Sequence, residues 1–497
     1  MAEAAAVWGV DLPIVIAIYL IVIMYIGYYS YRRRIGVTVK DFFMASKLLG
    51  YVVLGIGLFA TIASGNTFVG YSAKAYRAGL YFLVAPAFYV SILVGLMILG
   101  AKIIPIALRR GYVTPGDFFK DRFGSRSLML FLIVLMFWGT FVQFFEQSIA
   151  MGYIGEVTSA GYIPYAISAA IFMAVVLFVM LLGGFRGTAL ANFIMGTVMI
   201  AAMLGVLFGI IPILGGPNAL ASLANNAKLA AKLAPQSPTF AYGWASTIVL
   251  VMFGILCYYQ IWMFVVAAKD FKTLRRQYIF TPAIYTVVPT IFVIMGLIGL
   301  AIFPGLSKME SERMVPLLVN EAARRSAAGY VLGELTYVSV ISATLSTAAA
   351  VIFALGTVLS KDIYAKFINP AASERRIINV SRVIMVLLAI LGYVIVMTPK
   401  FTLWRWVELK FEVGMQAVPP LVLGLYIPWV NAKGAWAGSV IGFIIAVGLA
   451  LSGHAKIYGI HAGVIGFIVN LLIVLLVSYL TRKPEEVEAA SKIIMAR

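Results

Sequence analysis

The chain has 497 residues, 63% hydrophobic and only 11% charged. So few charges exclude a water-soluble protein of this length, because they would not cover its surface. The net charge of +19 would point a soluble protein toward nucleic acid; here Lys and Arg gather in alternate loops, the bias that orients a membrane protein, and no nucleic-acid partner is expected.

Apolar runs of roughly 20 residues, the length that crosses about 30 Å of hydrocarbon, recur along the chain. They predict thirteen spans: 10–31, 50–76, 81–107, 127–152, 162–183, 190–214, 244–267, 279–303, 329–359, 379–398, 405–428, 435–452 and 460–480. Lipid leaves backbone groups unsatisfied, so these runs are helices. The alternation of an outer-membrane barrel is absent. The expected fold is an all-α polytopic membrane protein, with a transmembrane domain over 1–482 and a tail at 483–497 too short for a catalytic or signalling module.

In chain order, span one follows no basic stretch and is too long for a cleaved signal, so it reads as a retained helix. Span two carries Ala60-Thr61-Ile62-Ala63-Ser64-Gly65-Asn66-Thr67 at its middle. Two readings stand: an unwound segment that turns carbonyls toward a cation, or a close helix–helix contact. In span four, Glu146 is the one acidic residue within reach of membrane depth, and it falls toward the outer end. Arg186, in a short inner loop between spans five and six, reads as a topology determinant. Asn192 and Tyr258-Tyr259-Gln260 either line a solute cavity or bond to a neighbouring helix. Cys257 is the single cysteine, which rules out an intrachain disulfide. Span nine is long enough to hide a break or tilt. Its Ser342-Ala343-Thr344-Leu345-Ser346-Thr347 offers hydroxyl oxygens, or bonds back to its own helix. Trp404, Trp406 and Tyr426 fit an aromatic belt. His454 and His461 read as outer-loop residues, and the outer connections 215–243 and 304–328 each suit a short interfacial helix.

Orientation comes from the loops. One side holds 25 of the 38 basic residues, among them Arg32-Arg33-Arg34, Lys40, Lys47, Arg109, Arg110, Lys269, Lys361, Lys366 and Arg497; 12 lie opposite, and Lys102 sits inside span three. The richer side is cytoplasmic, which puts the N-terminus outside and the C-terminus inside the plasma membrane. Acidic residues decide the coupling ion. Asp11, Glu156, Glu334, Glu408 and Glu412 fall near outer helix ends; Asp41, Asp117, Asp121, Asp270 and Asp362 fall in inner loops. A proton relay needs buried carboxylates or histidines, and none falls at the midplane, so a Na⁺ site of neutral oxygens suits the chain better. There is no phosphate loop, HExxH or Cys/His cluster, which argues against ATP-driven transport and metal chemistry; no enzyme activity and no organic cofactor are expected.

Several strings then resemble one family, the sodium/solute symporters of proline, pantothenate, sugars and monocarboxylates. They are Asp41-Phe42-Phe43-Met44-Ala45-Ser46-Lys47, Gly111-Tyr112-Val113-Thr114-Pro115-Gly116-Asp117-Phe118 with Asp121-Arg122-Phe123-Gly124-Ser125, Gly183-Gly184-Phe185-Arg186-Gly187, and Ser346-Thr347 followed by Lys361-Asp362-Ile363-Tyr364. The resemblance runs over about 12–480. It implies a leucine-transporter-type core of two inverted five-helix repeats, 50–214 and 244–428. It also implies a sodium site built from Ala60, Ala63 and Ala343 carbonyls with the Ser346 and Thr347 hydroxyls. Asn192 and Ile62 stand where some members carry acids, which weakens a second sodium site, and the family's Gly-Gln-Pro string keeps only Gln260. Ala267-Ala268-Lys269-Asp270, Thr273-Leu274-Arg275-Arg276 and Pro282-Ala283-Ile284-Tyr285 are closer to the monocarboxylate branch, which often lacks the Ser-Thr pair. The expected function is Na⁺-coupled uptake of a small solute, a monocarboxylate or an amino acid, held by Ser64, Asn66, Thr67, Tyr259 and Gln260. The rivals are a proton-coupled symporter of the same fold, a transporter-like sensor and a channel subunit of a respiratory complex.

Overall fold

A computed structural model describes residues 7–32, 50–234, 238–398 and 400–495, with the backbone alone at 27, 30, 31, 179, 180, 182–187, 227 and 228. Arg33, Arg34, Lys40, the string Asp41–Lys47 and Arg497 lie outside the described residues, as does the Arg186 side chain. Among the described residues nine helices are long and apolar enough to cross a membrane, and Asp11–Ile26, Tyr51–Ile62 and Tyr165–Phe178 are shorter apolar ones.

Two expected spans are interrupted. The first, Tyr51–Ile62, stops at Ala63 (φ −74°, ψ 87°) and resumes as a π-helical turn, Asn66–Gly70, leading into Tyr71–Ala78. The second, Phe240–Gly254, tightens to a 3₁₀ turn at Ile255–Cys257, breaks at Tyr258 (ψ 127°) and resumes as Tyr259–Val266. Such paired breaks in two halves of a chain mark transporter sites. The long span nine has no break: Ala327–Val358 is one helix that widens into a π-helix only at Leu359–Ile368. It packs beside Tyr51–Ile62 and Tyr165–Gly205, and its residues from Thr336 to Val358 are buried throughout.

Other differences from the sequence reading have local causes. The loop expected at Gly183–Gly187 is helical, part of a 41-residue helix Tyr165–Gly205. The span at 405–428 is split into Leu403–Gly414, a 3₁₀ turn Met415–Ala417 and Val418–Tyr426, because Pro419 and Pro420 lack the N–H groups an unbroken helix needs. The connections 215–243 and 304–328 carry the helices Gly216–Ala224 and Met314–Arg325. A two-residue hairpin, Lys456–Ile457 with Ile460–His461, turns on Tyr458 and Gly459, both at positive φ. It leads His461 inward, where the side chain is fully buried 3.6 Å from Glu412; the expected outer-loop histidine is a core residue.

Candidate functional site

Breaking a helix strands backbone groups, and the site begins with how they are satisfied. At the first break the Ser64 N–H donates to Thr67 Oγ1 (3.3 Å) and the Gly65 N–H to the side-chain carbonyl of Gln147 (2.8 Å). Gln147 is fixed in turn through its amide to the Gln143 carbonyl (2.8 Å). Gly65 is required by crowding: a Cβ there would lie 2.6 Å from Thr344 Cγ2 and 2.7 Å from Ala150 Cβ.

The carbonyls at the end of the first half-helix turn toward span nine. Ser346 Oγ donates to Ala60 O (2.7 Å) and lies 3.2 Å from Ala343 O. Thr347 Oγ1 lies 3.2 Å from Thr61 O and 3.4 Å from Ala60 O. Four of the five residues expected at a cation site are thereby brought together. Ala63 stands at the break itself, three residues on, its N–H spent on Phe59 O. Thr61, whose carbonyl joins the group, was missed, since a backbone oxygen leaves no mark in side-chain identity. These are neutral oxygens at the negative end of a helix dipole, a suitable setting for a desolvated Na⁺. Beside them Asn192 Nδ2 donates to Thr61 Oγ1 (2.8 Å).

On the other side of the break is a cavity of about 30 Å³, room for about one water, so a solute enters only as the surrounding helices move. Ser64, Asn66 and Thr67 line it, as expected. Tyr259 and Gln260 do not. The Tyr259 hydroxyl donates to Ile133 O (2.5 Å) and its N–H to Thr140 Oγ1 (3.2 Å). Gln260 is buried elsewhere, with both amide atoms unpartnered among the described residues. The extended backbone at Tyr258 shifts the register, so that Tyr258 faces the cavity and bonds to Gln143 Oε1 (3.1 Å).

Sequence reasoning missed a charge here. Lys410 lines the cavity, 2% exposed, and its Nζ lies 2.5 Å from Glu146 Oε2 while also donating to Gln143 Oε1. Glu146 is not at an outer helix end. The helix runs Arg126–Thr158, so its end lies twelve residues, about 18 Å, beyond Glu146. Glu408 and Glu412 are buried as well. Trp404 is no belt residue: it is 4% exposed, packs on Phe82 (4.8 Å) and Tyr71 (6.0 Å), and donates to Glu408 (2.9 Å). Tyr71 also lines the cavity, which places this ring cluster over it.

A model of the sodium:solute symporter family matches residues 42–442. The chain belongs to that family. It is a multi-pass membrane symporter that couples Na⁺ to the movement of a small organic solute, and it is not an enzyme. The symporter is 29% identical over 484 residues to the sodium/pantothenate symporter of Escherichia coli (strain K12), covering 93% of this chain and 95% of that one. It is 23% identical over 498 residues to the osmoregulated proline transporter of Bacillus subtilis (strain 168), covering 96% of each. Among solved structures, a substrate-bound, outward-open Na⁺-coupled sialic acid symporter superposes with a TM-score of 0.76 at 16% identity, over 94% of this chain and 97% of that one. A nucleobase-cation-symport-1 family transporter in a closed conformation gives 0.57 at 15% identity, over 91% and 98%. The symporter thus has the leucine-transporter-type fold.

Proposed function

We propose that this symporter takes up a small carboxylate, a monocarboxylate or an amino acid, driven by Na⁺ entering a site of Ala60, Ala63, Ala343, Ser346 and Thr347. The observation that carries this reading is the meeting of the Ser346 and Thr347 hydroxyls with the Ala60 and Thr61 carbonyls across the first break. Na⁺ entering there turns the hydroxyl hydrogens away and takes oxygen lone pairs from two helices that otherwise hold only through weak bonds. Binding therefore favours one arrangement of the two helices, and by linkage one affinity for the solute. Ser64, Asn66 and Thr67 stand at the start of the resumed helix, whose positive dipole end suits a carboxylate. Transport follows by rocking one helix bundle against the other about this midplane site. The proposed topology is a multi-pass domain over 1–482 in the plasma membrane, with repeats at 50–214 and 244–428, the N-terminus outside and the tail at 483–497 cytoplasmic.

The test is uptake of labelled solutes into proteoliposomes with and without an inward Na⁺ gradient. The expected result is Na⁺-dependent accumulation that a pH gradient alone does not replace; full transport on a pH gradient overturns the reading.

A further inference from the structure

An ionisable side chain at membrane depth is expensive and calls for an explanation. Lys410 and Glu146 form an oppositely charged pair with side chains only 3% and 0% exposed. A structural tie between the helices Leu403–Gly414 and Arg126–Thr158 does not need them, since apolar side chains of similar size join helices with no desolvation cost. The two members are also placed unequally. Lys410 is on the cavity wall with Ser64, Asn66 and Thr67, whereas Glu146 stands behind it. An ammonium has three N–H donors, and the bonds to Glu146 and Gln143 use two. The rings of Tyr258 and Phe411, 5.7 and 5.3 Å away, further favour a cation at this point.

Charge balance then restricts the solute. The pair is neutral whichever partner holds the shared proton, and the Na⁺ site offers neutral oxygens. Na⁺ alone leaves the buried site at +1, and a monocarboxylate alone leaves it at −1. Together they restore neutrality, which in a low-dielectric interior favours joint occupancy. A zwitterion with Na⁺ leaves a net charge.

We propose that Lys410, held in place by Glu146, is the residue that recognises the solute carboxylate, and that the solute is a monocarboxylate anion which crosses with one Na⁺ as a neutral pair. This rests on the Na⁺ site of the preceding reading.

The experiment measures uptake of labelled pantothenate, pyruvate and L-proline by the purified protein in proteoliposomes under a Na⁺ gradient, at zero potential and at about −100 mV set with K⁺ and valinomycin. At least one of the two monocarboxylates is taken up, at a rate that changes less than about twofold with potential. Lys410→Gln raises its KM about tenfold or more, with half-saturation by Na⁺ held within about twofold; Lys410→Arg recovers most of the affinity. The doubly neutral Lys410→Gln/Glu146→Gln variant leaves no lone buried charge. It serves if the single variant does not fold, with the same loss of uptake and retained thermal stabilisation by Na⁺. Uptake of L-proline alone, accelerated severalfold at negative potential, overturns the monocarboxylate assignment and leaves Na⁺ coupling standing; uptake of none of the three overturns the monocarboxylate assignment too. A Lys410→Gln variant with unchanged KM overturns the role of Lys410. Uptake of any probe that is indifferent to Na⁺ overturns the Na⁺ reading instead.

Discussion

The Ser346 hydroxyl lies 2.7 Å from the Ala60 carbonyl oxygen, across 286 residues of chain. Each residue has an ordinary explanation in its own helix; their contact is a hydrogen bond between two helices. Replacing both Ser346 and Thr347 by Ala removes two of the gathered oxygens and leaves the carbonyls. We predict a rise of about tenfold or more in the Na⁺ concentration for half-maximal uptake, equivalent to about 1.4 kcal/mol. Uptake measured across a Na⁺ titration checks it, and an unchanged titration removes the site.

Gly65 meets Ala150 and Thr344 too closely to carry a methyl group. Gly65→Ala forces the break away from the helix that holds Gln147, at a cost of about 1–3 kcal/mol for overpacking. The expected outcome is a folded protein with little coupled uptake, since both the Na⁺ carbonyls and the cavity wall hang on this segment. Size-exclusion profiles alongside uptake assays separate that result from simple misfolding.

Arg77 NH1 pairs with Glu312 Oε1 at 2.6 Å, and the other Glu312 oxygen accepts the Leu403 N–H at 3.1 Å. The Glu312 side chain has no exposure. Arg77→Ala leaves this carboxylate buried without its partner, and we predict a loss of about 3–5 kcal/mol. Glu312→Gln keeps an acceptor for Leu403 and costs less. Thermal unfolding of the two purified variants gives the order directly.

Asp117 caps its own helix, accepting the Thr114 N–H at 3.1 Å, and binds the ammonium groups of Lys361 and Lys366. Burial pushes its carboxyl pKa up, but the two lysines outweigh that and hold it well below the usual carboxylate range. Since the folded value lies below the unfolded one of about 3.9, the stability it contributes is fully present above about pH 4 and is lost as pH falls further. Melting temperatures between pH 7 and pH 3 are expected to drop in the wild type. Asp117→Asn melts lower at pH 7, for a stability loss of about 3 kcal/mol, and its melting depends less on pH.

The sequence by itself determined what lipid and composition impose. Apolar runs of crossing length make helices, and the string Ala60–Thr67 and the pair Ser346-Thr347 stand out because small and hydroxylated residues interrupt those runs. Both segments are where the oxygens gather. Tyr259 was misplaced by one position, because the break that sets its register is a backbone event at Tyr258 (ψ 127°), which its neighbours Cys257 and Tyr259 do not announce. Lys410 was not singled out, and Glu146 was read toward the outer end of its span, for a related reason. Hydropathy locates a residue along its own helix, whereas burial of a charge depends on the partner opposite, here 264 residues away in sequence. Only the tertiary structure decided which polar groups face one another, because a buried ion pair exists through the meeting of two helices that carry no trace of each other in their own segments.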